Sequence, residues 1–266
     1  MPPRGALAES EIWTPVVIPR LEFARSYFWY EPGEIVLFAG PTQRGKTSLA
    51  FILLEYTATP QLPAYILVSK PRDKVTERET ARLEYRRTDH WPVERKVKEV
   101  WDGPPAGYVI WPPFGNVHGD VQRVASVHRA TLEDLYSKAA RSKDQAKYQG
   151  IVVLDDTIVK EKLYGLGPEM RTYLTMAAAM GLGAWIFVQK PTGGGDTAIW
   201  GYGAAEHVFL FNDPDKRNRE RYDEIGGVDP KQIAEIVRTQ LDPYQCLYVK
   251  RTPQDGQQIM CIVDSK

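Results

Sequence analysis

Gly40-Pro41-Thr42-Gln43-Arg44-Gly45-Lys46-Thr47 places two glycines, a lysine and a hydroxyl at the spacing G-x-x-x-x-G-K-[ST]. These residue types at this spacing hold the phosphates of a nucleoside triphosphate. The glycines permit a tight loop whose backbone N–H groups wrap the β-phosphate at a helix N-terminus. Lys46 is expected to reach the β- and γ-phosphates, and Thr47 to offer its hydroxyl to Mg²⁺. Pro41, Thr42, Gln43, Arg44 and Ser48 complete the expected ATP contact set. The competing reading, a chance glycine-rich turn, is disfavoured by the flanks. Residues 34–39 form a short apolar run of the kind that makes a buried strand, and residues 47–57 read as a helix.

A second constellation lies in Ile151-Val152-Val153-Leu154-Asp155-Asp156. It reads as a strand with a carboxylate at its carboxyl end, and that strand can lie beside the one that carries the P-loop. Asp155 would then hold Mg²⁺ directly or through water. Asp156 is placed to activate or orient the attacking water, and its alternative is a cap for the helix that follows. Gln189 ends the next apolar strand, 184–188, so its amide would face the same crevice; it reads either as a plain polar strand end or as a γ-phosphate sensor, and the resemblance given below favours the sensor.

The elements that must position these groups alternate along the chain. Short apolar runs at 64–69, 108–111, 151–154 and 184–188 read as strands, and the segments at 121–147, 171–180 and 230–239 carry helical spacing. Near-continuous apolar strands alternating with helices predict an α/β fold. The expected core is a mostly parallel central sheet covered by helices on both faces, closed by a C-terminal β-hairpin around Asp255-Gly256. Residues 1–30 mix proline with aromatic and aliphatic side chains and read as an N-terminal arm or short strands lying on an apolar surface, such as a neighbouring subunit. Residues 31–266 read as one domain.

Thirty-four basic side chains balance thirty-four acidic ones, so no global positive field draws the chain onto nucleic acid; any DNA contact must be local. Cys246 and Cys261 have neither metal-ligand nor disulfide spacing and suit buried thiols in a reducing, cytoplasmic setting. No apolar stretch approaches the roughly 20 residues that span a bilayer.

The order of motifs carries a resemblance. The P-loop, Lys70-Pro71-Arg72-Asp73 after the second strand, Trp111-Pro112 after the third, Asp155-Asp156, the segment ending Met180-Gly181-Leu182-Gly183, and Gln189-Lys190-Pro191 together resemble the FtsK/HerA-type DNA-pumping ATPases over roughly residues 30 to 250. The Asp-Asp pair in place of Asp-Glu looks more like the viral genome-packaging branch. The resemblance implies a RecA-like core, a homohexameric ring, ATP hydrolysis between subunits, double-stranded DNA as the cargo, and a capsid or portal-like docking partner. Relatives often carry an arginine near the position of Ala178, so a finger in trans must come from elsewhere. Arg171 is the candidate, with Arg123, Arg129 and Arg141 behind it; each also reads as part of a solvated helix face. Lys70 and Arg72 end a strand on the ligand side of the sheet, and the glycines at 193–195 suggest a mobile loop that reads equally as a grip on DNA phosphates or as a plain connector. Two other functions fit the P-loop: a small-molecule kinase with an arginine-rich lid in 74–98, and a nucleotide-dependent assembly factor that pumps nothing.

Overall fold

The computed structural model describes residues 14–93, 104–115, 117–189, 196–225, 229–251 and 259–264. The expected turn at Asp255-Gly256, the glycines at 193–195 and residues 94–98 of the arginine-rich segment lie outside the described residues.

Among the described residues ten strands form one sheet. In chain order they are β1 (Val17–Pro19), β2 (Ile35–Ala39), β3 (Ala64–Leu67), β4 (Arg86–Thr88), β5 (Gly107–Ile110), β6 (Gly150–Leu154), β7 (Leu182–Val188), β8 (His207–Phe211), β9 (Cys246–Lys250) and β10 (Ile259–Asp264). Their spatial order is β1-β10-β9-β8-β2-β7-β6-β3-β5-β4. All neighbours run parallel except β8 with β9 and β9 with β10. The α/β architecture and the closing antiparallel pair are therefore as the sequence predicts.

The helices are α1 (Arg20–Ser26), α2 (Lys46–Thr57), α3 (Lys74–Arg82), α4 (Val117–Arg141), α5 (Thr157–Lys162), α6 (Gly167–Thr172), α7 (Asp196–Ala204), α8 (Lys216–Arg219) and α9 (Pro230–Thr239). The central strands are buried on both sides, and the two-residue period of a strand divides their side chains between two cores. Ile35, Leu37 and Ala39 face one core together with Val124 and Leu132 of α4 and Ile233 and Ile236 of α9. Val36 and Phe38 face the other, with Phe23 of α1 and Leu49, Leu53 and Leu54 of α2. There Phe38 stacks between Phe187 and Phe209, ring centres 4.8 and 5.0 Å away.

Three differences from the sequence reading have physical causes. The strand ending in Asp155 does not lie beside the P-loop strand: β7 intervenes, pairing with β2 on one side and β6 on the other. The helix expected at 171–180 is α6 followed by a wide turn, Tyr173–Ala177, and a tight one, Ala178–Met180, which Gly181 ends at a φ of 76°. Buried Tyr173, whose hydroxyl donates to the Leu132 carbonyl at 2.8 Å, sits at that change of pitch. The third concerns only the surface against which the segment before the P-loop lies. Val17–Pro19 pairs with Ile262–Asp264, and Phe23 and Phe28 are buried against Phe209, so it is the chain's own sheet that covers this apolar stretch.

Candidate nucleotide-binding site

β2 ends at Ala39, and the chain turns through Gly40 at a φ of 145°, Gln43 at 60° and Gly45 at 90° before α2 starts. Only glycine adopts such angles freely, and Gly40 is also closed in sterically: a Cβ there would lie 2.8 Å from Cβ of Phe211. The loop thus presents the N-terminus of α2, with its free backbone N–H groups, at the carboxyl edge of the sheet.

Lys46 is buried, and its ammonium donates to the carbonyl oxygens of Gly40 and Pro41, each at 2.5 Å. Burial pulls its pKa down to about 8; the charge of Asp156 opposes this, Lys70 adds to it, and Asp213 opposes it. A cavity of about 590 Å³ opens beside it, lined by Thr42 to Ser48, Lys70, Asp155, Asp156 and Gln189, with Arg20 and Tyr244 at its walls.

Asp156 occupies the position before α5 but does not cap it. Its backbone is left-handed, at a φ of 43° and a ψ of 59°, and its carboxylate makes no bond to the helix. Instead Oδ2 meets the Lys70 ammonium at 2.9 Å, and Oδ1 accepts from the Gln189 amide nitrogen. A left-handed non-glycine residue costs on the order of 1–3 kcal/mol, and such strain concentrates where a side chain must be aimed. Burial works against the charge on Lys70, but the hydrogen bond and charge of Asp156, with Asp155 and Asp73 behind them, raise its pKa overall.

Asp155 is held differently. Its Oδ1 accepts from Ser69 Oγ at 3.1 Å and from the Lys160 ammonium at 2.6 Å. Lys160 is fully buried and also donates to the Asp155 carbonyl and to Ser69. Burial lowers its pKa against the pull of Asp155. Tyr164 ties down the end of the neighbouring strand β3, its hydroxyl donating to the Ser69 carbonyl at 2.9 Å. With Oδ1 so engaged, Oδ2 is the oxygen that Asp155 can turn to a cation. Among the described residues no group of three or more His, Cys, Asp or Glu side chains could cage a metal. One carboxylate and a threonine hydroxyl are what Mg²⁺ asks of a protein when phosphates and water supply its other ligands, so Thr47 and Asp155 fit that ion.

The structure thus brings Lys46, Thr47, Asp155, Asp156 and Gln189 to one cavity. It does not bring Arg171 there. Arg171 is exposed, pairs with Asp196 at 2.8 Å, and lies over the Trp200 ring at 5.9 Å. Arg123 pairs with Asp120, and Arg129 with Glu169. The lysine Lys70, Lys160 with Ser69, and the pair Arg20 and Tyr244 are the groups that the motif reading missed or left loose. Lys160 lies in a charged segment that reads as surface, and Arg20 and Tyr244 are far from the loop in sequence. A second cavity, of about 670 Å³, lies at the amino ends of β3, β5 and β6 among Tyr65, Trp91 and Tyr108, away from every group named above.

A parallel sheet with a P-loop at the end of β2 and facing carboxylates at the end of β6 defines the RecA-like P-loop ATPase fold. Solved structures of similar shape carry the comparison further. The DNA-packaging ATPase B204 of Sulfolobus turreted icosahedral virus is 13% identical, with a TM-score of 0.52 over 88% of this chain and 100% of its own. The genome-packaging NTPase B204 of Sulfolobus turreted icosahedral virus 2, in complex with ATP-gammaS, is 12% identical, with a TM-score of 0.53 over 88% of this chain and 100% of its own. ATPases 2 and 3 of Thermomonospora curvata EccC, in complex with a signal sequence peptide, are 16% identical, with a TM-score of 0.53 over 97% of this chain and 42% of that one. No protein-family model and no curated protein matches the chain. No helix among the described residues is long and apolar enough to cross a membrane.

Proposed function

We propose that this chain is an Mg²⁺-dependent ATPase that moves double-stranded DNA, of the genome-packaging kind, working as a homo-oligomeric ring. One observation carries the catalytic part: Lys46, Asp155, Asp156 and Gln189, from the ends of three adjacent parallel strands, converge on a single cavity beside the N-terminus of a helix. Lys46 and the loop N–H groups bind the phosphates. Thr47 and Asp155 hold Mg²⁺, which neutralises charge that develops on the transferred phosphoryl group. Asp156 accepts a proton from the attacking water. Its partners Lys70 and Gln189 are the groups that a γ-phosphate would draw away, so ATP binding itself frees the carboxylate for that role.

The DNA part rests on the Asp-Asp pair, the motif order and the shared shape with packaging ATPases. The fold alone leaves the cargo open, since it is shared with an ATPase pair that was solved with a peptide. Within residues 74–93 of the kinase reading's lid, Arg78 and Arg82 pair with Glu79, Arg82 also with Glu55, and Arg87 with Glu77, which weighs against arginines held ready for phosphate; residues 94–98 lie outside the described residues. The deciding experiment is steady-state ATP hydrolysis with and without long double-stranded DNA at two salt concentrations. Stimulation that fades as salt rises is expected of a motor gripping phosphates. Stimulation by a small acceptor instead would make the chain a kinase, and turnover indifferent to DNA would favour an assembly factor.

A further inference from the structure

The catalytic groups occupy one side of the P-loop, where β7, β6 and β3 end. Arg20 and Tyr244 stand on the other side. β9 is antiparallel to β8, so its amino end, where Tyr244 lies, is at the edge that carries the P-loop. β10 reverses again and β1 runs parallel to it, which brings Arg20 to the same edge. A Cβ on Gly45 would lie 3.8 Å from Nη2 of Arg20 and 3.9 Å from Cδ1 of Tyr244, so the two side chains flank the loop's last glycine.

Both are built features. Tyr244 is 56% exposed although it is a large aromatic, and it sits on a pinned turn. The Gln245 N–H donates to the Asp242 carbonyl at 3.0 Å, the Asp242 N–H donates to the Gln245 side chain at 3.0 Å, and Gln245 donates to Asp264 at 3.2 Å. Arg20 is only 8% exposed, donates through Nη2 to the Tyr244 carbonyl at 3.1 Å, and its buried Nε has no hydrogen-bond partner among the described residues.

We propose that Tyr244 and Arg20 form the nucleoside end of the site: the base stacks on the Tyr244 ring, and Arg20 donates to acceptor atoms of the base or ribose. The proposal rests on the triphosphate reading, in which Lys46, Lys70, Asp156 and Gln189 fix the γ-phosphate end and Arg20 and Tyr244 line the wall across the P-loop from it. Every base has a π-face, and a guanidinium offers donors only, so the pair holds a nucleoside without strict choice of base.

The test compares binding of ATP and of inorganic tripolyphosphate, which has no nucleoside, by calorimetry with Mg²⁺. The proteins are the unaltered chain, Tyr244→Ala, Tyr244→Phe and Arg20→Gln. Tyr244→Ala, at an exposed site that leaves the core intact, is expected to weaken ATP roughly tenfold and leave tripolyphosphate unchanged. Tyr244→Phe restores ATP binding, and Arg20→Gln weakens ATP alone. If Tyr244→Ala binds ATP as tightly as the unaltered chain, or loses both ligands equally, the nucleoside assignment is wrong while the phosphate site stands. If the unaltered chain binds neither ligand, both readings fall.

Discussion

Lys46 combines burial with a charge that must be present when phosphate arrives, and its titration near 8 against 10.5 for a free lysine sets a sign. Below about pH 8 the free protein already carries the cation; above it, binding must take up a proton. ATP affinity is therefore expected to fall as pH rises past 8, approaching tenfold per unit, and to be flat below. Calorimetric titrations at about pH 7 and pH 9 check this, and equal affinities would show that Lys46 keeps its charge to above pH 9 in the free protein. Replacing Lys46 with alanine is expected to lower turnover on the order of a hundredfold or more. Asp156→Asn should bind ATP normally and hydrolyse it about 10²- to 10⁴-fold more slowly in single-turnover assays; normal turnover would leave Asp156 a holder of Lys70 and Gln189 only. Lys160 makes a prediction about stability. Its ammonium is fully buried with Asp155 as partner, so Lys160→Met strands a carboxylate and is expected to cost about 3–5 kcal/mol in denaturant unfolding.

The strands decide which residues can meet. β7 separates the P-loop strand from the strand of the two aspartates, so Gln189 at its end stands between Lys46 on one flank and Asp156 on the other. That placement needs the sheet neighbours to fit closely at the amino ends as well. A Cβ at Gly183 of β7 would fall 1.8 Å from the Tyr30 hydroxyl and 2.6 Å from the Glu34 carbonyl. Gly183→Ala is accordingly expected to destabilise the fold by about 1–3 kcal/mol, seen as a lower midpoint in thermal unfolding. Much of this level was legible in the sequence. The apolar runs of β2, β6 and β7 and the spacing of α9 are local signals, and the P-loop is eight consecutive residues. Strand order is not local: nothing in Ile151-Val152-Val153-Leu154 says which strand will lie beside it. β4, Arg86–Thr88, has two exposed arginines and no apolar period, and β1 is three residues long. Lys160 reads as a surface charge because its partners Asp155 and Ser69 come from other elements.

At the scale of the molecule, the segment before the P-loop belongs to the packed body. Phe23 is completely buried, 4.7 Å from Tyr248 and 5.9 Å from Phe209 between ring centres. Deleting residues 1–30 is expected to abolish cooperative unfolding rather than release a detachable arm; a truncated chain that melts as sharply as the full one would show that the segment is dispensable. The sheet also binds sequence extremes together, since Val17 pairs with Ile262, 245 residues away by subtraction. During synthesis at about 5–20 residues per second, β1 must wait on the order of tens of seconds for β10 to leave the ribosome. For that interval Phe23 and Phe28 await the hairpin of β9 and β10 that completes their cover. The nascent chain is thus exposed to chaperones and to wrong pairing at one defined edge, and the protein can reach its finished form only after translation has passed β10.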